Sequence, residues 1–212
     1  MIKKIIALIL SVKITIFVII FLAFNLLPTN IPAHYLNFLY PKNQGISIMS
    51  AYKTWDAQHY LYLSEKGYGK DAVSDAFSPL FPITIGLANV VFHSYFFSGL
   101  ILSNSFSVIG IIIFYFFVKD FYKNKEIAFS SILLLLSFPT SFYFSLIYTE
   151  SLFFLISICF FHFLYKKRFF LASIFALLLP FARYLGILIF FPFLTFFIEF
   201  FRSKKVFYSE MI

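Results

Sequence analysis

The sequence predicts an all-α fold, a polytopic membrane helical bundle of about six transmembrane helices with a large first external loop. Three observations carry that prediction. Apolar types make up 61% of the 212 residues, 35 of them Phe, and charged types only 12%, about half the share usual in soluble domains. A water-soluble fold of this length has too little interior to hide so much apolar surface. The Lys and Arg behind the net charge of +8 sit in short clusters between apolar runs, the pattern of membrane topology signals. Soluble enzyme, disordered chain and nucleic-acid module are thereby excluded. A multi-pass protein of the cell membrane is expected, with membrane lipid and no nucleic acid as its partner.

The first span runs from Ile5 to Leu27 behind Lys3 and Lys4. The alternative is a cleaved signal peptide, but the apolar part is long for one and Pro28-Thr29-Asn30 offers no small-x-small cleavage site, so an uncleaved first span is expected. Lys13 interrupts it and is expected to snorkel back to the inner face. An external loop follows over 28–78, with the single Trp, four Lys and four acids. Further spans are expected over 96–118, 127–144, 147–165, 169–182 and 184–201. The short segment 79–92, with Pro79 and Pro82, is decided by charge. Lys3 and Lys4, Lys119, Lys123 and Lys125, Lys166, Lys167 and Arg168, and Arg202, Lys204 and Lys205 supply eleven of the seventeen basic residues. All eleven fall on the cytoplasmic side, as the positive-inside rule asks, only if 79–92 lies along or dips into the outer interface. Both termini are then cytoplasmic. The run 169–201 is read as two short helices meeting near Arg183, since a charge at the bilayer centre costs at least about 2.5 kcal/mol.

This topology gathers the unusual polar residues on one face. In Thr54-Trp55-Asp56-Ala57-Gln58-His59-Tyr60-Leu61, helical spacing puts Asp56, His59 and Tyr60 on one side, and the neighbouring aromatic rings suit the headgroup level. The alternative is a solvated Asp on an interfacial helix. Glu150 opens a span, where an acid also simply complements the helix dipole with Thr149 as N-cap. Arg183 stands between two apolar runs. It suits bidentate phosphate binding, or snorkels at a helix end. Cys159 is the only cysteine, so an intrachain disulfide is excluded. No His and carboxylate spacing marks a metal site, and no phosphate-binding loop or nucleophile elbow is present.

Four blocks, in order, resemble the PIG-V family, the second mannosyltransferase of GPI-anchor assembly and its prokaryotic relatives. Trp55-Asp56-Ala57-Gln58-His59-Tyr60, with Gly67-Tyr68 after it, is similar to that family's first external loop. Phe77-Ser78-Pro79-Leu80-Phe81-Pro82 resembles its F-x-P-L-F-P segment. Ser137-Phe138-Pro139-Thr140-Ser141-Phe142-Tyr143-Phe144-Ser145, with Tyr148-Thr149-Glu150-Ser151-Leu152-Phe153, is similar to its S-P-x-S-x-F-F-S…Y-S-E-S-L-F block, with Thr149 where many relatives have Ser. Ala182-Arg183-Tyr184-Leu185-Gly186 resembles its R-x-x-G turn.

The resemblance implies a GT-C-like membrane glycosyltransferase. It would transfer a sugar, mannose by analogy, from a polyprenyl-phosphate donor to a hydroxyl of a glycan or glycolipid acceptor on the extracytoplasmic side. Asp56 matches the family's loop aspartate and is the expected catalytic base. Trp55, His59, Tyr60, Glu150 and Arg183 are expected to bind substrate, and no cofactor or metal is expected. Family members have more than six spans, so a truncated, inactive or partner-dependent GT-C subunit is the alternative. A lipid-linked sugar transporter would show internal repeats and mid-span charges, which the sequence does not display.

Overall fold

The computed structural model describes residues 1–42, 44–196 and 198. Among them every regular element is helical. The long apolar runs become α1 (Ile2–Leu26) and α6 (Tyr95–Tyr122), the two helices long and apolar enough to cross a membrane. Between them, in the loop, lie α2 (Ile31–Leu36), α3 (Ile48–Tyr52), α4 (Asp56–Lys66) and α5 (Leu80–Phe92). The chain continues through α7 (Lys125–Ser137), α8 (Glu150–Tyr165) and α9 (Phe169–Ala182). A 3₁₀ segment over Tyr184–Ile189 then leads into a helix, so that Tyr184–Phe196 forms one short apolar limb. Position 197, positions 199–201 and the basic cluster of Arg202, Lys204 and Lys205 fall outside the described residues.

The run 127–144 is not one straight span. Helix α7 stops at Ser137, and a 3₁₀ segment, Pro139–Ser145, leaves it at 88°. The cause is local: Phe138 precedes a proline and is held extended (φ −67°, ψ 133°), the conformation that X-Pro sterics favour. Counted as one broken crossing, this pair brings the span-length elements to three.

The packing follows from small residues. Gly99, Ser103, Ser107 and Gly110 line one face of α6, and that face receives Ile147 and Phe154. At the far end, the Tyr165 hydroxyl donates to Asp120 O (3.1 Å) and Lys166 pairs with Asp120 (2.5 Å). Helices α6 and α8 are therefore parallel, and the broken segment is the return between them. Ile5 and Ile9 of α1 pack with Tyr115 and Val118 of α6 and Ala128 of α7. This puts Lys3, Lys4, Lys119, Lys123, Lys125 and Lys166 at one end of the bundle. Asp56, Glu150 and Arg183 lie at the other.

Lys13 does not snorkel. It is 7% exposed, and its ammonium donates to Asn104 Oδ1 (2.9 Å), Ser107 Oγ (2.8 Å) and Phe144 O (2.8 Å). It sits eleven residues into α1, about 16 Å from the helix start. That is mid-helix, where protein acceptors are nearer than either surface.

The turn after α9 is set by close backbone approach. Arg183 is extended (φ −149°, ψ 138°), and the Gly186 N–H donates to Arg183 O at 2.8 Å. A Cβ on Gly186 would lie 2.4 Å from the Leu179 carbonyl carbon and oxygen, which no side chain can do without moving backbone. Gly186→Ala is expected to destabilise by at least about 1–3 kcal/mol, the range for overpacking, and to displace Arg183. A thermal midpoint in detergent unchanged from wild type would contradict this.

Candidate active site

Asp56 is the first residue of α4, and the turn before it is strained. The Ala57 N–H donates to Thr54 O (3.1 Å), closing a four-residue turn. Trp55 holds φ 45° and ψ −119° in that turn, the type II′ position that glycine normally fills. Such a backbone costs about 1–3 kcal/mol in a residue with a Cβ. An outside contact holds it: the Tyr148 hydroxyl donates to Thr54 O at 2.9 Å.

Tyr148 begins a run of three consecutive ties. Thr149 Oγ1 donates to Ala182 O (3.1 Å), reaching the end of α9. Glu150 Oε1 accepts from Arg183 NH1 (2.6 Å). Thr149 stands at the N-cap position but makes no cap bond, because its backbone is already helical (φ −73°, ψ −12°), whereas a capping residue is extended, and its hydroxyl turns to Ala182. Glu150 and Arg183 are 27% and 36% exposed, and such a pair is worth no more than about 1 kcal/mol. Its main effect is to fix the guanidinium.

These ties hold together the segments that line a cavity of about 260 Å³. Asp56 and Tyr60 enter it from α4, Phe77 and Ser78 from the segment before α5, and Arg183 and Tyr184 from the turn after α9. Burial pulls the Arg183 guanidinium downward, but the Glu150 carboxylate, then Tyr60 and Asp56, more than reverse this and hold it above its ordinary value. Burial, then Glu150 and Asp56, push the Tyr60 phenol far up. The cavity thus combines a carboxylate, a fixed cation and a neutral phenol.

Of the residues singled out in the sequence, Asp56, Tyr60 and Arg183 meet in this cavity, and Glu150 joins them through Arg183. Trp55 does not line it and is 56% exposed. His59 also turns elsewhere. Successive helical residues are about 100° apart, which carries His59 to the flank that the loop covers. There its ring is stacked between Phe38 (4.2 Å) and Phe77 (4.7 Å). Ser74 Oγ donates to Asp71 (2.5 Å), so the 2.9 Å contact between His59 Nδ1 and Ser74 Oγ requires the imidazole to donate. The sequence reading missed Tyr148 as a tie, Thr149 as a link to α9, and Tyr184 as a wall. Each depends on a partner 33 or 94 residues away, or on the shape of a turn.

A second hollow, about 330 Å³, lies behind Glu150 and is lined by Leu135, Phe138, Thr140, Ser141, Tyr143 and Phe144 with it. Among the described residues no cluster of three or more His, Cys, Asp or Glu could hold a metal ion. No family model matches the chain, and no curated protein or solved structure matches it either.

Burial lowers the His59 pKa below its ordinary 6.5, against the opposing pull of Asp56 and Asp71. The folded state therefore resists protonation more than the unfolded chain. Its stabilising contribution is complete above pH 6.5 and is lost as pH falls through the lower folded value. The unfolding midpoint, followed by circular dichroism in detergent, should fall between pH 7 and pH 5. His59→Gln should flatten that part of the profile, and an unaltered profile in the variant would exclude His59 as its source.

Proposed function

We propose that this chain is a GT-C-type membrane glycosyltransferase of the PIG-V kind. In this reading it transfers a sugar, mannose by resemblance, from a polyprenyl phosphate to an acceptor hydroxyl of a glycan or glycolipid. The observation that carries the proposal is the meeting of Asp56 and Arg183 across one small cavity, drawn from segments over a hundred residues apart. A volume of 260 Å³ is just below the usual range for small-molecule sites, suited to one sugar ring with its phosphate and not to an oligosaccharide.

The chemistry asks for few groups. A phosphate is already a good leaving group, so unlike a glycosidase with its two carboxyl groups the reaction runs with one base. Asp56 takes the proton of the acceptor hydroxyl as that oxygen attacks C1 of the sugar. The C1–O bond to phosphate breaks, and its electron pair leaves on the lipid phosphate, where Arg183 meets the developing charge. Glu150 keeps the guanidinium aimed. Attack opposite the leaving group inverts the anomeric centre. The Tyr60 phenol and the Tyr184 ring supply walls on which a sugar can rest.

The membrane setting belongs to the same proposal. Six crossings with cytoplasmic termini and 79–92 at the outer interface put the cavity outside and the basic end inside, which satisfies the positive-inside rule. Helices α8 and α9, with 16 and 14 residues, are about 24 and 21 Å long. They would cross a bilayer of about 30 Å only with local thinning or help from their flanks.

Sugar transfer from polyprenyl-phosphate mannose, measured in membranes at equal expression, tests the reading. Asp56→Asn should lower turnover by about 10²–10⁴-fold; wild-type rates would rule out Asp56 as the base. Arg183→Ala should weaken dependence on the donor phosphate, and Arg183→Lys should restore it only in part, because an ammonium cannot make the bidentate contact. In a Cys159→Ser background, an impermeant thiol reagent should label a cysteine placed at Ser78 from outside the cell. Labelling only from the cytoplasmic side would reverse the orientation.

A further inference from the structure

The chain between α7 and α8 is a twelve-residue break between α-helices inside the apolar bundle, and its carbonyls must find donors within the protein. Helix α6 meets three of them with side chains, while the segment's own N–H groups meet others, among them Phe138 O, Tyr143 O and Leu146 O. Ser107 Oγ lies 3.0 Å from Phe144 O, Asn104 Nδ2 donates to Ser145 O (3.2 Å), and Ser103 Oγ donates to Tyr148 O (3.2 Å). This ladder ends one residue before Thr149 and two before Glu150. It also fixes the residue whose hydroxyl holds the turn ahead of Asp56.

Lys13 closes the ladder from the other side. It bonds the Phe144 carbonyl directly and also engages Ser107 and Asn104, the two α6 residues that meet Phe144 and Ser145. Its three partners present three oxygens. An ammonium has three N–H donors, one for each. All three donors are used, which excludes the groove of about 520 Å³ beside it as an anion site built on this lysine. A buried ammonium with neutral partners is expensive in a bundle interior, and the sequence places it where a methionine would fill the same space.

We infer that Lys13 is a positioning residue for the cavity at the far end of the bundle: by locking the Phe144–Tyr148 backbone to α6, it sets where Tyr148, Thr149 and Glu150 hold Asp56 and Arg183. The inference rests on the proposed transfer reaction for its kinetic readout, but not for its structural one.

The structural readout uses a single cysteine at Ser78, at the cavity, in a Cys159→Ser background, with a control cysteine at Lys125 at the opposite end. Lys13→Met should change the rate of thiol labelling at position 78 at least fivefold and leave that at position 125 within twofold. Lys13→Arg, which keeps a charged donor set, should return the rate toward wild type. In the transfer assay Lys13→Met should lower kcat about 10- to 100-fold with the donor KM within twofold. Equal labelling at position 78 in Lys13→Met and wild type would overturn the inference, as would equal change at both positions. If Lys13→Met does not give monodisperse protein, Ser107→Ala removes one partner with little change in volume and should show the same selective effect at position 78; no effect there would overturn the inference. A wild-type chain without transfer activity would defeat the proposed function and leave the labelling result to decide the role of Lys13.

Discussion

The arrangement depends on how an interrupted helical return keeps its backbone hydrogen-bonded in apolar surroundings. Two parallel helices, α6 and α8, need a return between them, and Pro139 prevents that return from being helical throughout. The carbonyls of Phe144, Ser145 and Tyr148 are met by side chains of α6 and by Lys13. Once that backbone is fixed, three consecutive residues reach out. Tyr148 takes the turn ahead of α4, Thr149 takes the end of α9, and Glu150 takes the arginine beyond it. The cavity lies between α4 and the turn after α9, the segments that these contacts tie to one another.

Charge and strain are divided along the bundle. Among the described residues, the basic clusters at Lys3 and Lys4, Lys119 to Lys125, and Lys166 lie at one end. At the other end a guanidinium is held by a partly exposed carboxylate, and a tryptophan takes a backbone conformation that costs free energy. Strained residues cluster where geometry matters for chemistry, and Trp55 is the immediate neighbour of Asp56. Its indole contributes no wall to the cavity; its backbone directs the aspartate there.

Much of this was legible in the sequence. The runs that became α1 and α6 are long and uniformly apolar, so length and hydropathy alone placed them. Asp56, Tyr60 and Arg183 could be picked out because each is a polar group in an apolar or aromatic setting. The 88° break was less visible: the proline was plain, but the hydropathy of 127–144 is continuous across it. His59 was misplaced because helical spacing gives the angle between residues and not which flank the loop will cover. Lys13 was misread because snorkelling is the outcome for a lone lysine on a lone helix. Its three acceptors come from sequence positions 91, 94 and 131 residues later, and no local pattern announces them.

That separation bears on how the chain is made. Synthesis proceeds from the amino terminus, so α1 emerges roughly ninety residues before Asn104 and Ser107, and still earlier than Phe144. For that interval the ammonium has none of its final partners, so α1 can take its final place in the bundle only after α6 has been made and the broken return has formed. The docking of this helix thus waits on a carbonyl 131 residues downstream of the lysine that binds it.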